Sequence, residues 1–395
     1  HFRHSLDSTM EPPNRKAEFE DAKAKAAEAL AKGDPQAAID QYGDAMICAF
    51  DDNQRGAIHS NLSLCYLRLK DYAMAITHAD VAMALRPGWE KGYFRHGEVA
   101  FEQRDYATAL KDYEEAVKCA PNDAALNHRV KLAKEATQGF YFRQLLPGRD
   151  ICVNAKNPVE AQIFGAAVQM QNFIYLVGDA RTRQCAVIDA CWDVDGIIAV
   201  AKKDKMSITR AVATHYHFDH VGGKPPPPFD ALGIEVPGIK QLEAAGLPVH
   251  VQEEDAKKLR EMGVKETSMT LHRDGDVLQV GGVRLRFVHT PGHSPGSMIV
   301  VVDGDNPGSP GGGAGIVVSG DTIFPGSCGR LDLPDADKER MFHSLAKCAS
   351  ALRDEMTVYP GHNYNGASST IAKEKRDGLL RSFTKTQWEA MMGGK

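Results

Sequence analysis

The sequence has few of the features that mark membrane, nucleic-acid-binding or secreted proteins. None of its apolar runs reaches the roughly 18 residues of a membrane-spanning helix. A net charge of −5 provides no general attraction to nucleic acid or acidic lipid. The eight cysteines include no Cys-x-x-Cys pair and are too few for a disulfide scaffold, and the opening HFRHSLDST lacks the apolar stretch of a secretory signal. We expect a cytoplasmic protein without nucleic-acid or membrane partners.

The remaining composition is that of an ordinary globular chain. Hydrophobic residues make up 43% of the 395 positions and charged residues 25%. This length corresponds to two or three domains, each large enough to bury a core.

The first third of the chain carries a helical repeat. Asp71, Ala75, Ala82 and Pro87 recur as Asp105, Ala109, Ala116 and Pro121, always 34 residues later. The proline ends each unit because it lacks the N–H that a continuing helix needs. A 34-residue helix–turn–helix period resembles the tetratricopeptide repeat (TPR). We predict three repeats and a capping helix over residues 14–137, in an all-α TPR domain.

Residues 138–395 have a different pattern, in which short β-rich runs alternate with helices. The strand-like runs are 173–177, 184–189, 211–214, 283–289, 297–302 and 315–319. Helical stretches are expected near 194–203, 252–262 and 337–354. Such alternation indicates a layered α/β domain.

The strongest chemical signal is the sequence His-x-His-x-Asp-His within residues 214–220. Side chains two apart in an extended segment point the same way, so His215 and His217 can reach one metal ion together. If the chain then turns into a helix, Asp219 and His220 can face a second ion. Three further candidates each follow a glycine and a strand-like run: His293 after Gly292, Asp321 after Gly320 and His362 after Gly361.

These seven residues resemble the ligand set of the metallo-β-lactamase superfamily, which implies an αββα sandwich. By that likeness His215, His217 and His293 would bind the first metal, Asp219, His220 and His362 the second, and Asp321 would bridge them. Imidazole and carboxylate ligands suit two divalent ions, with zinc expected and iron or manganese possible. Such ions lower the pKa of a shared water from about 15.7 to about 7, and the hydroxide attacks a carbonyl. Asp219 could also orient it or transfer protons.

Within the superfamily, SGDTIFPGSCGRLDLP resembles glyoxalase II, which hydrolyses a glutathione thioester. Only 33 residues follow His362, too few for that family's C-terminal helical domain, so the substrate need not carry glutathione. Arg330 in this segment could bind an acidic group of the substrate or brace the loop through a carboxylate. Cys328 could be a reactive thiol or a buried packing residue.

A second likeness is to persulfide dioxygenase, through YPGHNYNGASSTIAKEKRDG. It implies a single iron held by His215, His293 and Asp321. The Asn-Pro-Arg that follows in that family is replaced by residues 378–381, Gly-Leu-Leu-Arg. We therefore expect a binuclear hydrolase acting on a small thioester or ester in preference to the dioxygenase.

The repeat region also suggests a partner. Residues 86–95, RPGWEKGYFR, resemble the third repeat of chaperone-binding TPR domains, which capture acidic tails ending Glu-Glu-Val-Asp. Lys23, Asn61, Lys91 and Arg95 match four positions of their carboxylate clamp, while Ala27 replaces an asparagine. Lys91 and Arg95 share one helix face and invite a carboxylate. The alternatives are a solvated helix face and, for the whole protein, a TPR scaffold without enzymatic activity.

Overall fold

The computed structural model describes residues 12–227, 230, 233–305 and 313–393. The opening HFRHSLDST lies outside the described residues. The chain divides into two compact units, the first ending at Thr137 and the second beginning at Gln138. Within the described ranges, no helix combines the length and the apolar character needed to cross a membrane.

The first unit is a series of helical hairpins, in which α1 packs on α2, α3 on α4 and α5 on α6. The helices are α1 (Pro12–Ala31), α2 (Pro35–Cys48), α3 (Asp52–Arg68), α4 (Tyr72–Leu85), α5 (Glu90–Glu102), α6 (Tyr106–Cys119) and α7 (Ala124–Gln138). This confirms the all-α repeat fold expected from the sequence.

The repeat period is set by helix caps and small residues. Asp71 and Asp105, which are 34 positions apart, each accept a hydrogen bond from a backbone N–H in the first turn of α4 and α6. Buried alanines line the helix contacts and let the backbones approach closely. At Gly97 an added Cβ would lie 2.8 Å from the Tyr113 ring, so the α5–α6 contact requires glycine.

The second unit contains two six-stranded sheets. The first has the order β1-β2-β3-β4-β5-β6 and the second β12-β11-β10-β9-β8-β7. The strands of the first are β1 (Phe140–Leu145), β2 (Ile174–Asp179), β3 (Gln184–Ile188), β4 (Ser207–Val212), β5 (Val249–Gln252) and β6 (Met269–His272). Those of the second are β7 (Val277–Val280), β8 (Val283–His289), β9 (Met298–Asp303), β10 (Gly315–Gly320), β11 (Thr357–Pro360) and β12 (Ser369–Thr370).

The remaining helices of this unit lie between or after the strands. They are α8 (Pro158–Met170), α9 (Val194–Lys203), α10 (Phe218–Val221), α11 (Ile239–Ala244), α12 (Ala256–Glu261), α13 (Lys338–Ala351), α14 (Ile371–Arg376) and α15 (Lys385–Met392). Phe173 and Tyr175 meet Val300 and Val318 in the core between the sheets. A second apolar cluster joins the other face of β9 and β10 to α13. The unit is therefore the expected αββα sandwich.

Candidate metal centre

The candidate ligands all follow strand ends at one edge of the sandwich. Residues 215–220 come after β4 and run into the short helix α10. His293 follows β8, Asp321 follows β10 directly, and His362 follows β11. Glycines make this approach possible: a Cβ at Gly361 would lie 2.3 Å from Oδ1 of Asp321.

One group of ligands consists of three histidines. The ligand atoms of His215, His217 and His293 lie within 4.8 Å of one another. Nδ1 of His217 is 2.9 Å from Nε2 of His293. Nε2 of His215 is buried and has no hydrogen-bond partner in the described part of the chain. Burial lowers the pKa of His217 to about 4, and that of His215 falls well below its usual value. Both rings are therefore neutral and have lone pairs available to a cation.

A second group lies beside the first. The ligand atoms of Asp219, His220 and His362 also lie within 4.8 Å of one another. Nε2 of His220 is 3.2 Å from Nε2 of His362, which is 3.4 Å from Oδ2 of Asp219. Burial by itself would raise the pKa of Asp219, but His220 and His362 lower it well below the ordinary range. Asp219 is therefore a carboxylate at neutral pH.

Asp321 lies between the two groups. Its Oδ2 is 3.3 Å from Nε2 of His293 and 3.5 Å from Nε2 of His362. Its Oδ1 is 3.4 Å from Nε2 of His220, and no hydrogen-bond donor reaches this buried oxygen from the described residues. Burial opposes ionisation, yet His362 and His220 hold the pKa of Asp321 well below its usual range.

These residues fit divalent metal ions. Seven imidazole or carboxylate side chains converge in a buried space, and ring nitrogens of neighbouring histidines face each other at short range. Two of the buried atoms, Nε2 of His215 and Oδ1 of Asp321, are orphaned as hydrogen-bonding groups. A buried polar atom without a partner is costly, and a bound cation would satisfy both. The donor set is one that zinc, iron and manganese all accept.

The outward nitrogen is also held in three of the buried ligand histidines. Nδ1 of His293 lies 2.9 Å from the Arg330 carbonyl, Nδ1 of His362 lies 2.8 Å from the Met170 carbonyl, and Nδ1 of His220 lies 2.9 Å from Oδ2 of Asp189. Such contacts fix the tautomer and turn Nε2 toward the site. No local sequence pattern predicts these supports, because only the folded chain brings them beside the ligands.

Two other buried polar residues were missed. Asp255 accepts hydrogen bonds from the backbone N–H of Tyr216, the hydroxyl of Ser294 and the N–H of Gly296. It thereby joins the segment of His215 and His217 to that of His293. Asn172, two residues before β2, has its amide within 3.4 Å of three ligand atoms of the second group.

Residues 328–330, Cys-Gly-Arg, lie against the ligands. The guanidinium of Arg330 is 70% exposed and forms two hydrogen bonds with Asp332, at 2.9 and 2.8 Å. Burial raises the pKa of the Cys328 thiol to about 12. Both residues line a cavity of about 490 Å³ whose apolar wall includes Leu379 and Met392.

The four clamp candidates of the first unit lie on the first helix of their hairpins: Lys23 on α1, Asn61 on α3, and Lys91 and Arg95 on α5. The side chain of Asn61 bonds the Tyr42 hydroxyl, and Arg95 lies near the same tyrosine. Nε of Arg95 is buried and lacks a partner among the described residues. Lys91 is exposed, whereas Lys23 pairs with Glu20 at 2.9 Å.

Comparison with known proteins finds similarity to one family within the second unit. A family model described as the metallo-beta-lactamase superfamily matches residues 168–226 and 237–362, which include all seven ligand candidates. A hydroxyacylglutathione hydrolase of Maricaulis maris is 29% identical over 51% of this chain and 66% of its own length. A probable polyketide biosynthesis zinc-dependent hydrolase of Bacillus velezensis is 23% identical over 53% and 80%. The mitochondrial persulfide dioxygenase of Homo sapiens is 25% identical over 52% and 68%. The chain thus spans just under two thirds of the first relative.

Proposed function

We propose that the protein is a metal-dependent hydrolase of a small thioester or ester, in which a TPR unit precedes a metallo-β-lactamase-superfamily domain. The observation that carries this proposal is the position of Asp321 between two groups of three ligands. A carboxylate between two ligand groups suits a pair of ions better than one. The likeness to hydroxyacylglutathione hydrolase and to a zinc-dependent hydrolase supports hydrolysis and zinc.

In this proposal His215, His217 and His293 would hold one ion, Asp219, His220 and His362 would hold the other, and Asp321 would serve both. Bound divalent ions supply Lewis acidity, which ionises water near neutral pH and stabilises negative charge on a carbonyl oxygen. The chain itself supplies orientation and proton transfer. Asp219, whose low pKa keeps it ionised, can accept a proton from water or orient it.

Access to the site is from the side of His217, which is only partly buried. Tyr364 stacks on the ring of His362, with centroids 4.5 Å apart, and is 52% exposed. The exposed guanidinium of Arg330 would donate hydrogen bonds to an acidic group of the substrate. It would give up part of its hydrogen bonding to Asp332 to do so. A reducing compartment such as the cytoplasm fits the free state of all eight cysteines.

The test is elemental analysis of the purified full chain together with a panel of small thioesters and esters. We expect about two divalent ions per chain and hydrolysis that Asp321→Asn abolishes. Asp195→Asn, on the exposed face of α9, is the matched control and should leave the rate unchanged. One iron per chain, with oxygen consumed on glutathione persulfide and no thioester cleaved, would replace the hydrolase by the dioxygenase.

For the first unit we propose a second function, the binding of an acidic C-terminal peptide such as the tail of a heat-shock chaperone. The supporting observation is the buried Nε of Arg95, which has no hydrogen-bond partner in the described part of the chain and lies one helical turn from the exposed Lys91. A terminal carboxylate would satisfy that N–H.

Calorimetry with a peptide ending Glu-Glu-Val-Asp tests this second function. Binding should weaken at least about tenfold with Lys91→Glu or with an amidated peptide. Lys118→Glu, an exposed lysine on α6, is the matched control. Equal affinities for wild type and Lys91→Glu would remove the proposal.

A further inference from the structure

Asn172 is a buried amide that faces the second ligand group. Its side chain is 1% exposed. Its Nδ2 lies 3.1 Å from Oδ2 of Asp219, 3.4 Å from Nε2 of His220 and 3.3 Å from Nε2 of His362. The amide nitrogen is therefore close to all three atoms through which that group would bind an ion.

The orientation of this amide is fixed by a hydrogen bond to its oxygen, on the side away from the ligands. The indole Nε1 of Trp192 donates a hydrogen bond to Oδ1 of Asn172 at 3.1 Å. An indole N–H can only donate, so a reversed amide would place two N–H groups against each other. Trp192 cannot easily move away, because it is buried and its backbone N–H bonds the Pro237 carbonyl. The N–H side of the amide must point at the ligands.

The distances from Nδ2 of Asn172 to the ligand atoms match the distances between ligands of a single metal ion. Ligands of one tetrahedral ion with bonds of about 2.0–2.1 Å lie roughly 3.3 Å apart. The amide of Asn172 stands at that separation from all three members of the second group, and so takes a fourth corner of the set. At this corner the chain presents N–H donors, whereas a metal ion requires a lone pair. The same nitrogen donates a hydrogen bond to Oδ2 of Asp219 and lies within 3.4 Å of Nε2 of both His220 and His362.

The first ligand group has no comparable competitor. Among the described residues, no side-chain amide bonds to His215, His217 or His293, and Nε2 of His215 has no partner at all. An ion entering the first group therefore displaces no amide donor, and one entering the second must.

We propose that Asn172, held by Trp192, makes the second subsite the weaker one, so that divalent ions load in order. The first ion binds tightly at the three histidines, and the second binds more weakly and exchanges. This inference rests on the metal centre of the proposed function and identifies Asn172 as the residue that sets its occupancy.

The experiment is a titration of the metal-free full chain with zinc, followed by calorimetry and native mass spectrometry. We expect wild type to take up a second ion at least about tenfold more weakly than the first. Asn172→Asp replaces the donor with an anionic ligand and should tighten the second ion about tenfold or more. Trp192→Phe keeps an aromatic ring but frees the amide to present its oxygen, which should give a smaller gain.

Trp388→Phe is the matched control, because its indole donates to the Lys338 carbonyl in the α13–α15 contact. It should change neither affinity. Two equal affinities in wild type would overturn the inference, as would an unchanged second affinity in folded Asn172→Asp. If Asn172→Asp does not fold, Trp192→Phe decides by the same criterion. Ion loading is measured without substrate, so a chain that loads in order but cleaves no thioester would refute only the proposed function.

Discussion

Oδ2 of Asp189 accepts a hydrogen bond from Nδ1 of His220 at 2.9 Å, and both side chains are buried. The same carboxylate accepts hydrogen bonds from the backbone N–H and the hydroxyl of Thr214, each at 2.7 Å. Asp189 follows β3, and its partners follow the neighbouring strand β4. It therefore sets both the path of the ligand segment and the tautomer of one ligand.

Asp189→Asn should weaken metal binding about 10- to 100-fold, since an amide cannot accept from all three donors and loses the negative charge that supports the imidazole. Titration of the metal-free protein measures this affinity. Asp195→Asn again serves as the control for loss of one carboxylate. Unchanged affinity in folded Asp189→Asn would mean that its contact with His220 does not influence the site.

The contrast between His220 and Asp189 shows what could be predicted from the sequence. His220 belongs to a local motif whose spacing alone indicates chemistry. Asp189 meets it only because β3 and β4 pair in parallel, with Val187 beside Ala211 and Ile188 beside Val212. Such pairing joins distant parts of the chain and leaves no signal in a single sequence. Asn172 and Asp255 were missed for the same reason.

The same distinction between local patterns and long-range contacts decides which helices and strands could be predicted. The helices of the first unit follow from a periodic local pattern and repeated aspartate caps, so their positions were predictable. Several strands of the second unit were not predicted. β7 and β11 have four residues each and β12 only two, too short for alternation to stand out. They exist because neighbouring strands supply their hydrogen bonds.

Asp255 provides a test of how the first ligand group is held together. It is fully buried and accepts from Tyr216, Ser294 and Gly296, with donor–acceptor distances of 3.1, 2.8 and 2.6 Å. Asp255→Ala should lower the free energy of unfolding of the second unit by about 3 kcal/mol, because buried N–H groups lose their acceptor. Urea unfolding measures the change.

Ser294→Ala removes one of these donors and should cost about 1 kcal/mol in wild type. In the Asp255→Ala background the same substitution should cost less, since only the contact of its hydroxyl with Oγ of Ser297, at 2.8 Å, is then left to lose. Fully additive effects would show that the hydrogen bond to Asp255 is not what Ser294 contributes.

Cys328 should take no part in the reaction. Burial raises the pKa of its thiol to about 12, so it is not a thiolate at neutral pH. Iodoacetamide should label the exposed Cys119 before Cys328 and leave thioester hydrolysis unchanged. Peptide mapping identifies the labelled thiol. Loss of activity in step with labelling of Cys328 that persists in Cys119→Ser would contradict this.

The last prediction concerns the pH dependence of the first unit. Nδ1 of His96 lies 2.6 Å from Oδ2 of Asp112, and its Nε2 lies 3.8 Å from Oδ1 of Asp80. The hydrogen bond to Asp112 raises the pKa of His96 above its usual 6.5, in spite of burial. The folded state therefore favours the protonated ring. Its contribution to stability should be complete below pH 6.5 and should disappear as the pH rises through the raised pKa.

Thermal unfolding of the full chain, followed from about pH 5.5 to about pH 8.5, measures this contribution. The transition of the first unit should fall in temperature across that window, and His96→Gln should remove the slope because glutamine does not titrate. His343→Gln, an exposed histidine on α13, controls for the loss of one imidazole. A slope that survives in His96→Gln would show that groups other than His96 cause it. The carboxylates of Asp80 and Asp112 would then not depend on a charged imidazole between them.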